Sequence, residues 1–110
     1  MHLLPFDRLA TQYDIYAFGP PACGGDRQEG MFVAVGPDYF ASGAACGQVL
    51  SISHEAGPAI VVVVNNLCPE CDAKGSIDLQ SQGAWPAFKA TISDFYAGYE
   101  GDIPVTVVPQ

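Results

Sequence analysis

Positive charge is scarce in this chain. Four basic residues (Arg8, Arg27, Lys74 and Lys89) stand against twelve acidic ones, giving a formal net charge of −8 over 110 residues. Neutralising phosphate takes clustered Lys and Arg, so nucleic acid is excluded as a partner, and an anionic membrane surface is disfavoured on the same ground. A neutral polymer or a basic partner suits such a surface better, although acidity also serves solubility. Long hydrophobic runs are missing too. Ala59–Val64 is far too short to span a bilayer, and Met1–Phe6 is too short for the apolar region of a signal peptide. The chain has no internal repeat, low-complexity tract or linker. With 49% apolar and only 15% charged residues it reads as one globular domain, residues 1–110, and not as a disordered segment.

Glycine and proline, by contrast, are abundant, at twelve and nine. That density calls for many turns and for short strands over long helices. Strands are expected at Arg8–Ala17, Met31–Val35, Gln48–Ser53, Ala59–Val64 and Ile103–Val108. The alternation in Gln48–Ser53 sets Val49, Ser51 and Ser53 on one face and Leu50 and Ile52 on the other. Glu55-Ala56-Gly57-Pro58 closes a hairpin into the next strand. Asp38–Ala41 is a short helical turn. Ala84–Tyr96 is the best helix, with Trp85, Phe88, Ile92 and Phe95 at helical spacing, Pro86 near its start and Gly98 at its end. On that stripe Trp85 belongs to the core, while His54 beside Glu55 reads as a solvated hairpin position.

Four cysteines admit three readings. A zinc ribbon needs a second Cys-x-x-Cys or a histidine pair, and His2 and His54 are isolated. A redox dithiol sits at a helix N-terminus in a βαβ unit, whereas Cys68-x-x-Cys71 follows a strand. Two disulfides, Cys23–Cys46 and Cys68–Cys71, are favoured. They imply a secreted protein numbered after removal of its leader, and no metal.

Ala59–Gln80 carries the chemistry. A β-branched strand runs into Asn65 and Asn66, then Cys68-Pro69-Glu70-Cys71, then Asp78 between Ile77 and Leu79. Polar groups at a strand end and a lone acid between aliphatics look like a site, although Asp78 could also cap a turn. The full order is Thr11-Gln12-Tyr13, Ala22-Cys23-Gly24, Phe32-Val33-Ala34-Val35, Ala45-Cys46-Gly47, VVVVNNLCPEC, SIDLQ, an apolar helix and Gly101-Asp102-Ile103-Pro104-Val105. It resembles the double-psi β-barrel domain shared by expansins, loosenins, barwin-like proteins, rare lipoprotein A and glycoside hydrolase family 45.

The resemblance implies a mainly β fold, a six-stranded double-psi barrel with one or two short helices. It makes Asp78 the acid needed for wall loosening in expansin-like proteins and for proton donation in the related endoglucanases. It puts Thr11 and Tyr13 on a groove wall, with Asp38 and Tyr39 in a turn near the groove. Asn66 stands where the family usually has aspartate, and an amide cannot serve as a carboxylate base. Inverting hydrolysis needs an acid and a base. Asp14 comes one residue early for the first-strand base and so points to the other strand face. Asn65 and Asn66 keep open the asparagine route that some related endoglucanases use.

The reading chosen is a secreted, monomeric, cofactor-free protein that binds cell-wall polysaccharide (cellulose, chitin or peptidoglycan) and loosens it without hydrolysis. Two alternatives stand beside it. One is a glycan-cleaving enzyme, an endoglucanase or lytic transglycosylase. The other is a protein-binding module of the protease-inhibitor or defence type.

Overall fold

The computed structural model describes residues 4–110. Six strands close into a barrel: β1 (Phe6–Tyr13), β2 (Phe32–Val35), β3 (Val49–Ser53), β4 (Ala59–Leu67), β5 (Ser76–Gln80) and β6 (Ile103–Pro109). Their order around the wall is β1-β5-β2-β4-β3-β6. β1 with β5 and β2 with β4 run parallel, and the other four pairings are antiparallel. The six strands closed into one barrel are those of the six-stranded barrel that the resemblance implied.

Alternation fills the barrel. Ile60, Val62 and Val64 of β4, Ile103, Val105 and Val107 of β6, and Leu50 and Ile52 of β3 point inward and are buried. Val33 and Val35, Ile77 and Leu79, and Ala10 complete the wall, and Trp85 and Phe88 join the same core. Short helices ride outside: α1 (Pro37–Phe40), α2 (Cys71–Lys74) and α3 (Ala84–Lys89).

Several elements differ from the sequence reading. The first strand stops at Tyr13 and not at Ala17, because the Asp14 carboxylate accepts the Tyr16 N–H and caps a 3-10 turn over Ile15–Ala17. The expected helix Ala84–Tyr96 ends at Lys89. The Thr91 hydroxyl donates to the Phe88 carbonyl, Ser93 is extended, and Asp94–Tyr96 forms a separate 3-10 turn. Phe95 therefore leaves the apolar stripe and is 74% exposed. β4 runs three residues past Val64 and takes in both asparagines. His54 is buried, not solvated. Its Nδ1 lies 2.6 Å from the Pro104 carbonyl and its ring packs edge-on to Tyr96.

The long connection from β1 to β2 lacks regular structure beyond its first turn, and local bonds hold it down. Cys23 pairs with Cys46, and its N–H donates to the Asn65 carbonyl. The buried Gln80 amide receives the Gly30 N–H and donates to the Gln28 carbonyl. Cys68 pairs with Cys71, and no cysteine is free. Chain-entropy arithmetic gives the 23-residue Cys23–Cys46 closure about 3 kcal/mol of stabilisation and the three-residue one about half that. A Cys23→Ser/Cys46→Ser double variant is therefore expected to lose about 3 kcal/mol in urea unfolding, more than the Cys68→Ser/Cys71→Ser variant loses. Equal losses would show that strain or denatured-state structure, not loop length, sets the balance.

Candidate functional site

Register assembles the site. Thr11 of β1 pairs with Asp78 of β5, Asp78 with Ala34 of β2, and Ala34 with Asn66 of β4. These four residues form one level row across four adjacent strands. Their neighbours Ala10, Ile77, Leu79, Val33 and Val35 face the barrel interior, so Thr11, Asp78 and Ala34 face outward. Asn66 has the same parity as the buried Ile60, Val62 and Val64 and would point into the core in an unbroken strand. A register shift between Val33 and Ala34 prevents this. Val33 pairs with Val64 but Ala34 with Asn66, which leaves Asn65 as the extra residue of a bulge. Strands lie about 4.8 Å apart, so the Asp78 and Asn66 backbones stand about 10 Å apart.

A second, smaller core lies under this row, made of Tyr13, Ile15, Ala34, Cys68 and Cys71. Tyr13 hydrogen-bonds the side chains of Asn66 and Gln80. Burial chiefly raises its pKa; the Asn66 bond opposes this, the Asp78 charge adds to it, and the Gln80 bond opposes it again. The Asn66 amide oxygen accepts the Ala22 N–H at 2.8 Å and the Leu67 N–H at 2.9 Å. It is fully engaged in fastening the β1–β2 connection.

Asp78 lies in an open cleft of about 360 Å³ beside the Cys68–Cys71 disulfide, its carboxylate within 4.8 Å of both sulfurs. Burial raises its pKa above the ordinary value of 3.8. The hydrogen bond from Thr11 opposes that shift, the Glu70 charge adds to it and the Lys74 charge opposes it. The Thr11 hydroxyl is also 2.8 Å from the Ile77 carbonyl. One hydroxyl hydrogen meets two acceptors, so a neutral Asp78 that donates to Thr11 lets Thr11 donate to Ile77 and leaves both satisfied.

Thr11, Tyr13 and Asp78 share this cleft, and Asn66 reaches it through Tyr13. Asn65 lies in the adjoining crevice, its amide oxygen buried and without a partner among the described residues. Asp38 and Tyr39 line a different depression, larger at about 850 Å³ and mostly apolar, with Ala41, Ala44 and Val61. Asp14, Glu70, Lys74 and Asp78 border the smaller cleft. The Asp38 N–H donates to the Asp72 carboxylate, and the Tyr39 hydroxyl donates to Gln48.

Three cleft residues escaped sequence reasoning. Glu70 and Lys74 flank Asp78 because the disulfide folds Cys71–Lys74 into a single helical turn capped by Gly75 at φ 64°. The Cys-Pro-Glu-Cys spacing was the available signal. Phe18 is 60% exposed on the cleft rim, its ring edge-on to Tyr13 at 6.4 Å. Arg27 fixes it by donating to the Phe18 and Ile15 carbonyls. Asp14 also borders the cleft, but its Oδ1 holds the Tyr16 N–H and the Gln82 amide.

No family model matches the sequence, and no curated protein matches it either. Solved structures do. The apo expansin of Clavibacter michiganensis superposes with a TM-score of 0.73 at 26% identity, and a mutant of that expansin in complex with cellohexaose with 0.66 at 28%. Each match takes in 97% of this chain but only 50% of the expansin, so the chain spans about half the length of those relatives. A Streptomyces papain inhibitor superposes with 0.68 at 23% identity, over 96% of this chain and 93% of the inhibitor. The fold is a double-psi β-barrel of expansin-like type.

The raised pKa of Asp78 has a thermodynamic sign. Between 3.8 and the raised value the folded state keeps a proton that the unfolded state has released, so stability falls as pH rises through that window and is level above it. Asp78→Asn removes this loss. Its melting temperature relative to wild type is expected to rise from pH 3 to pH 7, followed by calorimetry. A variant that loses ground toward pH 7 would mean that the ionised carboxylate is a structural anchor.

Proposed function

We propose that this domain binds cell-wall polysaccharide in the Asp78 cleft and loosens it without cutting it, acting outside the cell as a single monomeric barrel. The observation that carries the reading is the Thr11–Asp78 pair facing outward in an open cleft, on a fold whose solved relative holds cellohexaose. A carboxyl and a hydroxyl side by side exchange hydrogen bonds with vicinal sugar hydroxyls. The exposed ring of Phe18 offers a stacking face, a part that the largely buried Tyr13 cannot take. An acidic chain repels neither cellulose nor chitin, both uncharged. Two disulfides suit an oxidising compartment.

The engagement of Asn66 and Asp14, the two residues nearest the family's base positions, supports loosening over hydrolysis. The Asn66 oxygen is saturated by two backbone N–H groups, and Asp14 caps a turn. Glu70 is the remaining carboxylate beside Asp78 and the residue on which a cutting mechanism would turn. Incubation with amorphous cellulose, chitin and peptidoglycan is expected to give retention of the protein and no release of reducing ends. Asp78→Asn and Phe18→Ala should each weaken retention about tenfold, the scale of one good hydrogen bond or aromatic contact. Reducing-end release that disappears in Glu70→Gln would replace the loosening reading with hydrolysis.

One observation favours a second reading. The papain inhibitor matches this chain over nearly the inhibitor's whole length. Titration of papain with the wild-type domain tests that reading: stoichiometric inhibition, untouched by Asp78→Asn, would assign the barrel to protease binding.

A further inference from the structure

A second group of aromatic side chains lies outside the cleft, on the connection between α3 and β6. Phe95 is 74% exposed and Tyr99 41% exposed. Their rings lie 6.2 Å apart and are inclined by only 35°. Half-buried Tyr96 stands edgewise to both, at 78° and 62°, and itself rests edge-on against buried His54. Tyr96 is thus a buttress that props two outer rings in similar orientations. Aromatic rings collapsed for burial alone would not leave the two outer faces in water.

The backbone beneath these rings is fastened. The Lys89 ammonium donates to the Ala97 carbonyl at 3.0 Å and to the Tyr99 carbonyl at 2.6 Å. Arg27 grips the carbonyl of Phe18 at the cleft in the same way. Two of the four cations of the chain therefore anchor the backbone of an exposed aromatic residue. The segment is also joined to the cleft. Gln12, which lines the cleft, donates through its amide to the Glu100 carbonyl and carboxylate at 3.0 and 2.9 Å. A Cβ added at Gly101 would come within 3.8 Å of the Thr11 methyl.

We propose that Phe95 and Tyr99 form a second sugar-stacking surface, continuous with the Asp78 cleft, which grips the same polysaccharide chain beyond the residues bound in the cleft. The inference rests on the polysaccharide reading above. Two exposed rings 6.2 Å apart and tilted by 35° offer neighbouring faces to successive sugar rings of an extended β-linked chain. Asp94, Glu100 and Asp102 around them, all exposed, disfavour an anionic polymer such as a uronan. Taken with the polysaccharide reading, this makes the occupant an uncharged glycan, long enough to reach past the cleft.

The test is chain-length dependence. Binding of cellotriose and cellohexaose (or chitotriose and chitohexaose, if chitin is the polymer that retains the wild type) is measured by calorimetry for the wild type and for Phe95→Ala/Tyr99→Ala. The double variant is expected to lose about a hundredfold in hexamer affinity, the scale of two aromatic contacts, while trimer affinity stays. Phe95→Tyr/Tyr99→Phe keeps both rings and should restore hexamer binding, which separates stacking from any loss of folding. Equal hexamer affinity in wild type and double variant overturns this inference and leaves the cleft reading standing. A wild type that binds no glycan of either length and no insoluble polymer overturns the cleft reading first, and this one with it. A double variant that keeps hexamer binding but loses binding to a lysine-rich peptide would assign the surface to a basic protein partner, against the proposal.

Discussion

The register of four strands is the constraint on which the rest of this molecule depends. Thr11, Asp78, Ala34 and Asn66 stand level because β1, β5, β2 and β4 are adjacent in the barrel wall. Slippage by one residue in β5 would turn Asp78 into the core and Ile77 or Leu79 out to water, so the apolar alternation itself holds the acid at the surface. The bulge at Asn65 is the one departure from that alternation. It turns Asn66 away from the core and lets its amide fasten the β1–β2 connection.

The electrostatics of the cleft follow from that placement. Asp78 stands above a small apolar cluster and the Cys68–Cys71 disulfide, which keeps water partly away and favours its neutral form. Thr11 and Lys74 pull toward ionisation, and burial and Glu70 push against it. The short disulfide adds little to global stability. Its part is local, since it sets Glu70 and Lys74 on one helical turn facing the acid.

Scarce positive charge acquires a meaning in three dimensions. Arg27 and Lys89 bind backbone carbonyls beneath exposed aromatic rings, and Lys74 faces Asp78. The cations are positioning elements, and the acidic residues are left to dominate the solvated surface. Such a surface repels an anionic ligand and leaves its exposed rings open to a neutral or basic one.

Much of this was legible in the sequence, for identifiable reasons. Alternation in Gln48–Ser53 and Ala59–Val64, the turn residues around them and the Cys68-x-x-Cys71 spacing act over a few residues, so they marked strands, a hairpin and a tight bridge without knowledge of the fold. Asp78 stood out because an acid between two aliphatics conflicts with burial. What the sequence alone determined is therefore which short segments alternate, which residues bend the chain and which acid is out of place. Tertiary structure decided the partners. Parallel pairing of β1 with β5 joined Thr11 to Asp78 across 67 positions, and no local signal carries such a pairing. A bulge inverted the facing of Asn66, and a cap at Asp14 ended β1. The break after Lys89 turned Phe95 from an expected core residue into an exposed ring, because the hydroxyl of Thr91 and the extended Ser93 outweighed helical periodicity. Asp38 and Tyr39 went to a separate depression, since which face a short helix presents depends on what it packs against.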